Sequence, residues 1–115
     1  MNVVIYHNPR CSKSRSGLQL LRDQGIEPEI VEYLKTPPTS EELERILDLL
    51  GIEPRELMRR KEKEYRDFGL DDESLSREQL IAAMVVNPRL IERPIVFAGD
   101  RAVLGRPKEK ILEIL

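Results

Sequence analysis

A chain of 115 residues can bury one hydrophobic core but not two, and a net charge of −2 with 35% charged residues gives a well-solvated surface without the basic field that would recruit nucleic acid. No stretch approaches the ~20 apolar residues of a membrane span and no basic leader precedes the first apolar run, so a single soluble, cytoplasmic domain over 1–115 is expected, with no membrane partner. One cysteine excludes an internal disulfide, and with one histidine it cannot supply the four ligands of a structural zinc site. Redox chemistry at Cys11 would therefore need a small thiol or a partner protein as external reductant.

Val3-Val4-Ile5-Tyr6 reads as a buried strand, and the run after Cys11 as a helix from about Ser12 to Gly25, a residue suited to the C′ position. Cys11 then falls on the strand-to-helix turn, where unpaired N–H groups and the helix dipole favour a thiolate and any anion beside it. Arg10, Lys13 and Arg15 add positive charge, and cysteines so placed can have a pKa well below the free value of about 8.5. A lone cysteine is as often a small buried hydrophobe, although polar residues on both sides argue against a sealed site. Within the helix Leu18 and Leu21 face inward, and small Ser14 and Gly17 allow close packing on a sheet.

Glu29-Ile30-Val31-Glu32-Tyr33 alternates like a strand at a distance that suits a helical crossover, which completes a βαβ unit. Thr36-Pro37-Pro38 breaks it. Thr39-Ser40-Glu41-Glu42 has capping-box spacing ahead of a helix with Leu43, Ile46, Leu47 and Leu50 on one face, ended by Gly51. Pro54 suits a first helical position, so Arg55 to about Lys61 reads as a short helix with Leu57 and Met58 inward, and Arg59 to Arg66 as a solvated helical face. A second capping box, Ser76-Arg77-Glu78-Gln79, opens a helix with Leu80, Ile81, Met84 and Val85, stopped at Asn87-Pro88. Pro94–Phe97 and Arg101–Leu104 flank Ala98-Gly99-Asp100 as an antiparallel hairpin, and Pro107 opens a last helix with Ile111, Leu112 and Leu115 inward. The expected fold is α/β, a thioredoxin-like (glutaredoxin-type) four-stranded mixed sheet with a helical insert, about 40–90, between the βαβ and ββα units. Such a fold brings Arg93-Pro94 near Cys11.

Tyr6-His7-Asn8-Pro9-x-Cys11-x-x-Ser14-Arg15, Tyr33-Leu34-x-Thr36-Pro37-Pro38, Ile91-x-Arg93-Pro94-Ile95-Val96 and Gly105-Arg106-Pro107, in that order, resemble the glutaredoxin-linked arsenate reductase family. The resemblance runs from Ile5 to Leu115. It implies a cysteine thiolate, Cys11, that attacks arsenate held by three arginines, Arg59, Arg93 and Arg106, with His7 near the nucleophile. It further implies glutathione as co-substrate and glutaredoxin as partner, with no bound cofactor or metal.

The residues read independently agree to different degrees. Arg93 precedes a proline at the start of a strand, and guanidinium forks match tetrahedral oxyanions. Arg106 stands at a helix start, where the dipole does not favour a cation, so something else should hold it. Arg59 has the weakest case of its own, since Arg60 is equally plausible by composition. His7 is either a neutral hydrogen-bonding spacer or a group that sets the thiolate fraction. Ser14 and Arg15 either begin the helix or, for Ser14, donate a hydroxyl to the sulfur or the anion. Pro94 is either an ordinary edge proline or, as in thioredoxin-like proteins, cis. Characterised members resemble Cys-Gly-Thr at the nucleophile, whereas Cys11-Ser12-Lys13 adds a cation and a Cβ, which bears on substrate preference and turnover.

Three alternatives stand beside this reading. A phosphatase-like reading is the weakest, since Cys11 and Arg15 are only four apart and cannot form the same Cys-x5-Arg loop. A non-catalytic redox regulator binding RNA polymerase would often use Cys-x-x-Cys, where this chain has Ser14. A glutathione-dependent thiol oxidoreductase of another substrate is the main rival.

Overall fold

The computed structural model describes residues 2–115, which form two compact units: the segments up to Thr36 together with Arg93–Leu115, and Pro37–Glu92. The first unit is built on a four-stranded sheet in the order β2-β1-β3-β4. Its strands are β1 (Val3–Tyr6), β2 (Glu29–Val31), β3 (Ile95–Ala98) and β4 (Arg101–Leu104). β1 runs parallel to β2 and antiparallel to β3, and β3 pairs antiparallel with β4, giving the mixed sheet and hairpin expected from the sequence.

The period-2 alternation of a strand assigns each side chain to a face. Val3 and Ile5 of β1 join Val96 and Ala98 of β3, and on them pack Leu18 and Leu21 of α1 (Ser12–Asp23) with Ile111 and Ile114 from the C-terminal segment. Burying such a side chain is worth roughly 1.5–3 kcal/mol, so this layer fixes where the first turn of α1 meets the sheet. Tyr6 points to the other face, stacked on Tyr33 at 6.3 Å and edge-on to Phe97 at 5.1 Å. Helix α1 ends at Gly25, whose φ of 77° supplies the left-handed turn that residues with a Cβ resist.

Two elements of this unit are shorter or tighter than the periodicity predicts. β2 stops at Val31, because Lys35 and Thr36 turn their N–H groups back to the Glu32 carbonyl at 2.9 and 3.0 Å. The C-terminal segment Lys108–Ile114 is a 3₁₀ helix, so side chains three apart share a face. Ile111 and Ile114 are therefore buried, while Leu112 and Leu115, read as inward, are exposed.

The second unit is helical: α2 (Ser40–Leu50), α3 (Pro54–Leu57), α4 (Lys63–Asp67), α5 (Arg77–Val86) and a 3₁₀ turn at Pro88–Leu90. Both expected capping boxes form, Thr39 with Glu42 and Ser76 with Gln79. The short helix ends at Leu57 instead of reaching Lys61. Met58 is extended and bridges Ile91, with the Arg59 N–H on the Leu90 carbonyl and the Glu92 N–H on the Leu57 carbonyl, each at 2.7 Å. A ladder to a distant segment overrides local helix propensity here. The solvated face read over Arg59 to Arg66 is helical only from Lys63, and Tyr65 within it is buried, its hydroxyl accepting from Arg55 Nη1 at 3.0 Å. Among the described residues no helix is long and apolar enough to cross a membrane.

Candidate active site

The turn between β1 and α1 is pinned by its own backbone. The Cys11 N–H donates to the Asn8 carbonyl at 3.0 Å, the Arg10 N–H to Asn8 Oδ1 at 3.0 Å, and Arg15 Nη1 to the Pro9 carbonyl at 2.9 Å. Asn8 thus makes an Asx-type turn that holds the loop, a role the Asn-Pro pair signals in sequence and that the reading above left unassigned. Arg15 serves as a brace of the same loop. Cys11 occupies the N-cap position of α1 and is buried, with 9% of the residue's surface exposed.

His7 and Ser14 close the turn from beneath. Both are buried, with His7 Nδ1 2.6 Å from Ser14 Oγ, which also accepts the Asn8 N–H at 3.0 Å. Burial, with lesser opposition from Glu32 and help from Arg22 and Arg15, lowers the His7 pKa from its usual 6.5, so the ring is neutral at physiological pH. A neutral ring cannot supply charge to the thiolate; His7 is paired instead with the Ser14 hydroxyl through Nδ1. The Ser14 oxygen lies between His7 and Asn8, while its backbone N–H acts on the sulfur.

The sulfur sits among opposing influences. Burial pushes the Cys11 thiol up, but the Ser14 N–H, the Arg93 guanidinium and the Lys13 N–H together bring it below the ordinary thiol value. Arg93 Nε donates to Cys11 Sγ at 3.2 Å, although Cys11 closes no formal side-chain cap hydrogen bond with its helix. The thiolate is thus favoured by one specific cation and by the N–H groups of the first helical turn.

Pro94, which follows Arg93, is held on several sides. The Arg93–Pro94 bond is cis, as the resemblance implies, and so is Arg106–Pro107. The Gly105 N–H donates to the Pro94 carbonyl at 2.9 Å, and the Pro94 ring fills the space between Gly17 and Gly105. A Cβ at Gly105 would lie 2.9 Å from Pro94 Cγ and 3.0 Å from Ile111 Cδ1, and one at Gly17 would lie 2.9 Å from Pro94 Cγ. The small residue Gly17 thus packs against the proline at the head of β3. Gly105→Ala is expected to lower stability by about 1–3 kcal/mol through overpacking, read as a shift in urea midpoint at unchanged m-value.

Arg106 is exposed and shares with Lys13 the lining of a cavity on the first unit. Arg59 belongs to the second unit, where its guanidinium pairs with Glu62 and its Nη1 donates to the Arg89 carbonyl at 3.3 Å. The network that the structure joins directly is therefore His7, Asn8, Cys11, Ser14, Arg15 and Arg93 with Pro94. Among the described residues no group of three or more His, Cys, Asp and Glu side chains is arranged to hold a metal.

Known proteins resemble the chain over its whole length. The ArsC family matches residues 6–114. The chain is 56% identical to "Uncharacterized protein YfgD" of Escherichia coli K12 over 114 residues, covering 98% of this chain and 96% of that one. It is 48% identical over 116 residues to an "Arsenate reductase" of Haemophilus influenzae, covering 100% of both. Among solved structures, "Arsenate reductase from Vibrio cholerae" superposes with a TM-score of 0.98 at 53% identity, covering 100% of this chain and 98% of the other.

Proposed function

The chain belongs to the ArsC family, and on that footing we propose that it is an arsenate reductase acting through the Cys11 thiolate, with glutathione and a glutaredoxin as external reductants. The observation that carries the reading is Arg93 Nε at 3.2 Å from Cys11 Sγ, a guanidinium fixed where an oxyanion must lie for the sulfur to attack it. Arg106 is the second oxyanion ligand of the proposal. Arg59 enters on the resemblance alone.

In the proposed cycle the Cys11 thiolate attacks arsenic, forming a sulfur–arsenic bond as one oxygen leaves as hydroxide or water. Glutathione adds its sulfur to the same arsenic with loss of a second water. The glutaredoxin thiolate then attacks the glutathione sulfur; a mixed disulfide forms, and the electron pair of the broken sulfur–arsenic bond reduces arsenic(V) to arsenic(III). Water displaces Cys11 and frees arsenite. In sum, one arsenate and two thiols give one arsenite, one disulfide and one water. The absence of a second cysteine in the chain supports this use of external thiols.

The test is a coupled assay in which NADPH oxidation through a glutathione-regenerating reductase follows arsenate reduction. Turnover is expected only when arsenate, glutathione and glutaredoxin are all present. Steady glutathione-dependent reactivity at Cys11 without any arsenate dependence would favour the thiol oxidoreductase of another substrate.

A further inference from the structure

The ion pair between Arg59 and Glu62 is more deeply covered than the chain's surface pairs. Its side chains are 20% and 18% exposed, whereas in the Arg22–Glu27 and Lys63–Asp67 pairs every partner is 44% or more exposed. Exposed pairs are screened by water and salt and contribute little, so a covered one is the better candidate for a defined task.

Arg59 is fixed at both ends. Its backbone N–H donates to the Leu90 carbonyl at 2.7 Å and its own carbonyl accepts the Glu62 N–H at 3.1 Å. At the far end of the side chain, Nη1 donates to the Arg89 carbonyl at 3.3 Å and Nη2 pairs with Glu62 Oε1. The second oxygen of Glu62 lies 3.7 Å from Arg89 Nη2, so one carboxylate is shared by two guanidinium groups and does not cancel the charge of Arg59 alone. Arg89 Nε lies in turn 3.8 Å from Glu64 Oε2. The segment 89–91 against which Arg59 is held runs on in the chain to Arg93.

A guanidinium carries five N–H donors in a rigid planar fork. Glu62 and the Arg89 carbonyl engage one terminal nitrogen each, which stops the head from turning on its long stem and leaves Nε and one hydrogen on each terminal nitrogen for an anion. A head held in this way has already lost the rotamer freedom that binding would otherwise have to remove. We infer that Glu62 is a positioning residue for the oxyanion: acting through Arg59, it presents the remaining guanidinium N–H groups to the substrate. The inference rests on the proposed role of Arg59 as an anion ligand, and it adds a carboxylate as the group that orients this cation.

Glu62→Ala is expected to raise the KM for arsenate about fivefold or more, with kcat within about twofold and the midpoint of Cys11 alkylation against pH unchanged. Glu62→Gln keeps the shape and one accepting oxygen, so it should recover part of the loss, and it carries the same test if alanine disturbs the segment. The deciding measurement is a double-mutant cycle. In an Arg59→Ala background Glu62→Ala should change the KM no further, whereas a merely structural role would give the same fold-change in both backgrounds. Arsenate turnover with an unchanged KM in Glu62→Ala, a lowered KM, or a fold-change that persists without Arg59 would each overturn the inference and leave the reductase reading standing. Binding is read separately from turnover by titrating arsenate against the Arg59 Nε–H resonance. If that resonance moves in wild type and needs about fivefold more arsenate in Glu62→Ala, the inference holds even in a protein without turnover, where the reductase reading fails; an Arg59 resonance indifferent to arsenate would overturn it.

Discussion

Cys11→Ser is expected to abolish the proposed arsenate-dependent turnover in the coupled assay while leaving the fold intact, the largest single effect expected of any substitution in the chain. Serine preserves the N-cap position and suits it well, so a loss of activity cannot be charged to the helix start. What disappears is a nucleophile ionised near neutral pH. Because the Ser14 and Lys13 N–H groups and Arg93 outweigh burial, alkylation of Cys11 should rise with pH through a midpoint below that of a free thiol, and arsenate should protect it. The same shift carries a stability signature of fixed sign. A depressed folded-state pKa means that the unfolded chain holds the proton up to a higher pH than the native one. The thiolate's contribution is thus complete above the unfolded value of about 8.5 and is lost as pH falls through the folded value. The lead of wild type over Cys11→Ser in urea midpoint should grow with pH across that window and level off above it.

The parts of this site that sequence exposes are those whose causes are local. A β-branched run followed by a helical pattern puts Cys11 on the turn, the two Thr/Ser-x-x-Glu/Gln boxes mark α2 and α5, and Gly99 marks the hairpin. Element order then places Arg93-Pro94 beside the turn, which the 3.2 Å contact to the sulfur bears out in distance. The features that escape are set by partners far along the chain. Met58 leaves the helical path because Ile91 offers it a bridge, and the Ser14 hydroxyl is paired with His7, just beyond the end of the preceding strand. The cavity beside α1 is of the same kind, since Lys13 and Arg106 come from segments far apart in the chain that meet where two glycines pack on Pro94. Even the last helix is misread for a tertiary reason: a 3₁₀ turn presents Ile111 and Ile114 to the sheet where a 3.6-residue period would favour Leu115.

Arg93→Ala is the second large effect, and it separates two jobs that one guanidinium performs. As the hydrogen-bond donor to Cys11 Sγ it favours the thiolate, so its removal leaves burial less opposed and should move the alkylation midpoint upward. As an oxyanion ligand it would stabilise charge developing on arsenate, and loss of one preorganised donor of that sort costs roughly 10²–10³ in rate. The two are distinguished by pH. Above the variant's raised thiol pKa the alkylation rate should return to that of wild type, because the sulfur is again fully ionised. Arsenate turnover should stay depressed at the same pH if the guanidinium also binds the anion. Arg93→Lys sharpens the contrast: an ammonium keeps the charge and part of the thiolate, but it lacks the planar fork that meets an oxyanion at two points, so the alkylation midpoint should recover more than kcat/KM does. Parallel recovery of both quantities in Arg93→Lys, or full arsenate turnover in Arg93→Ala at high pH, would confine Arg93 to tuning the thiol and leave the anion to be held by other cations.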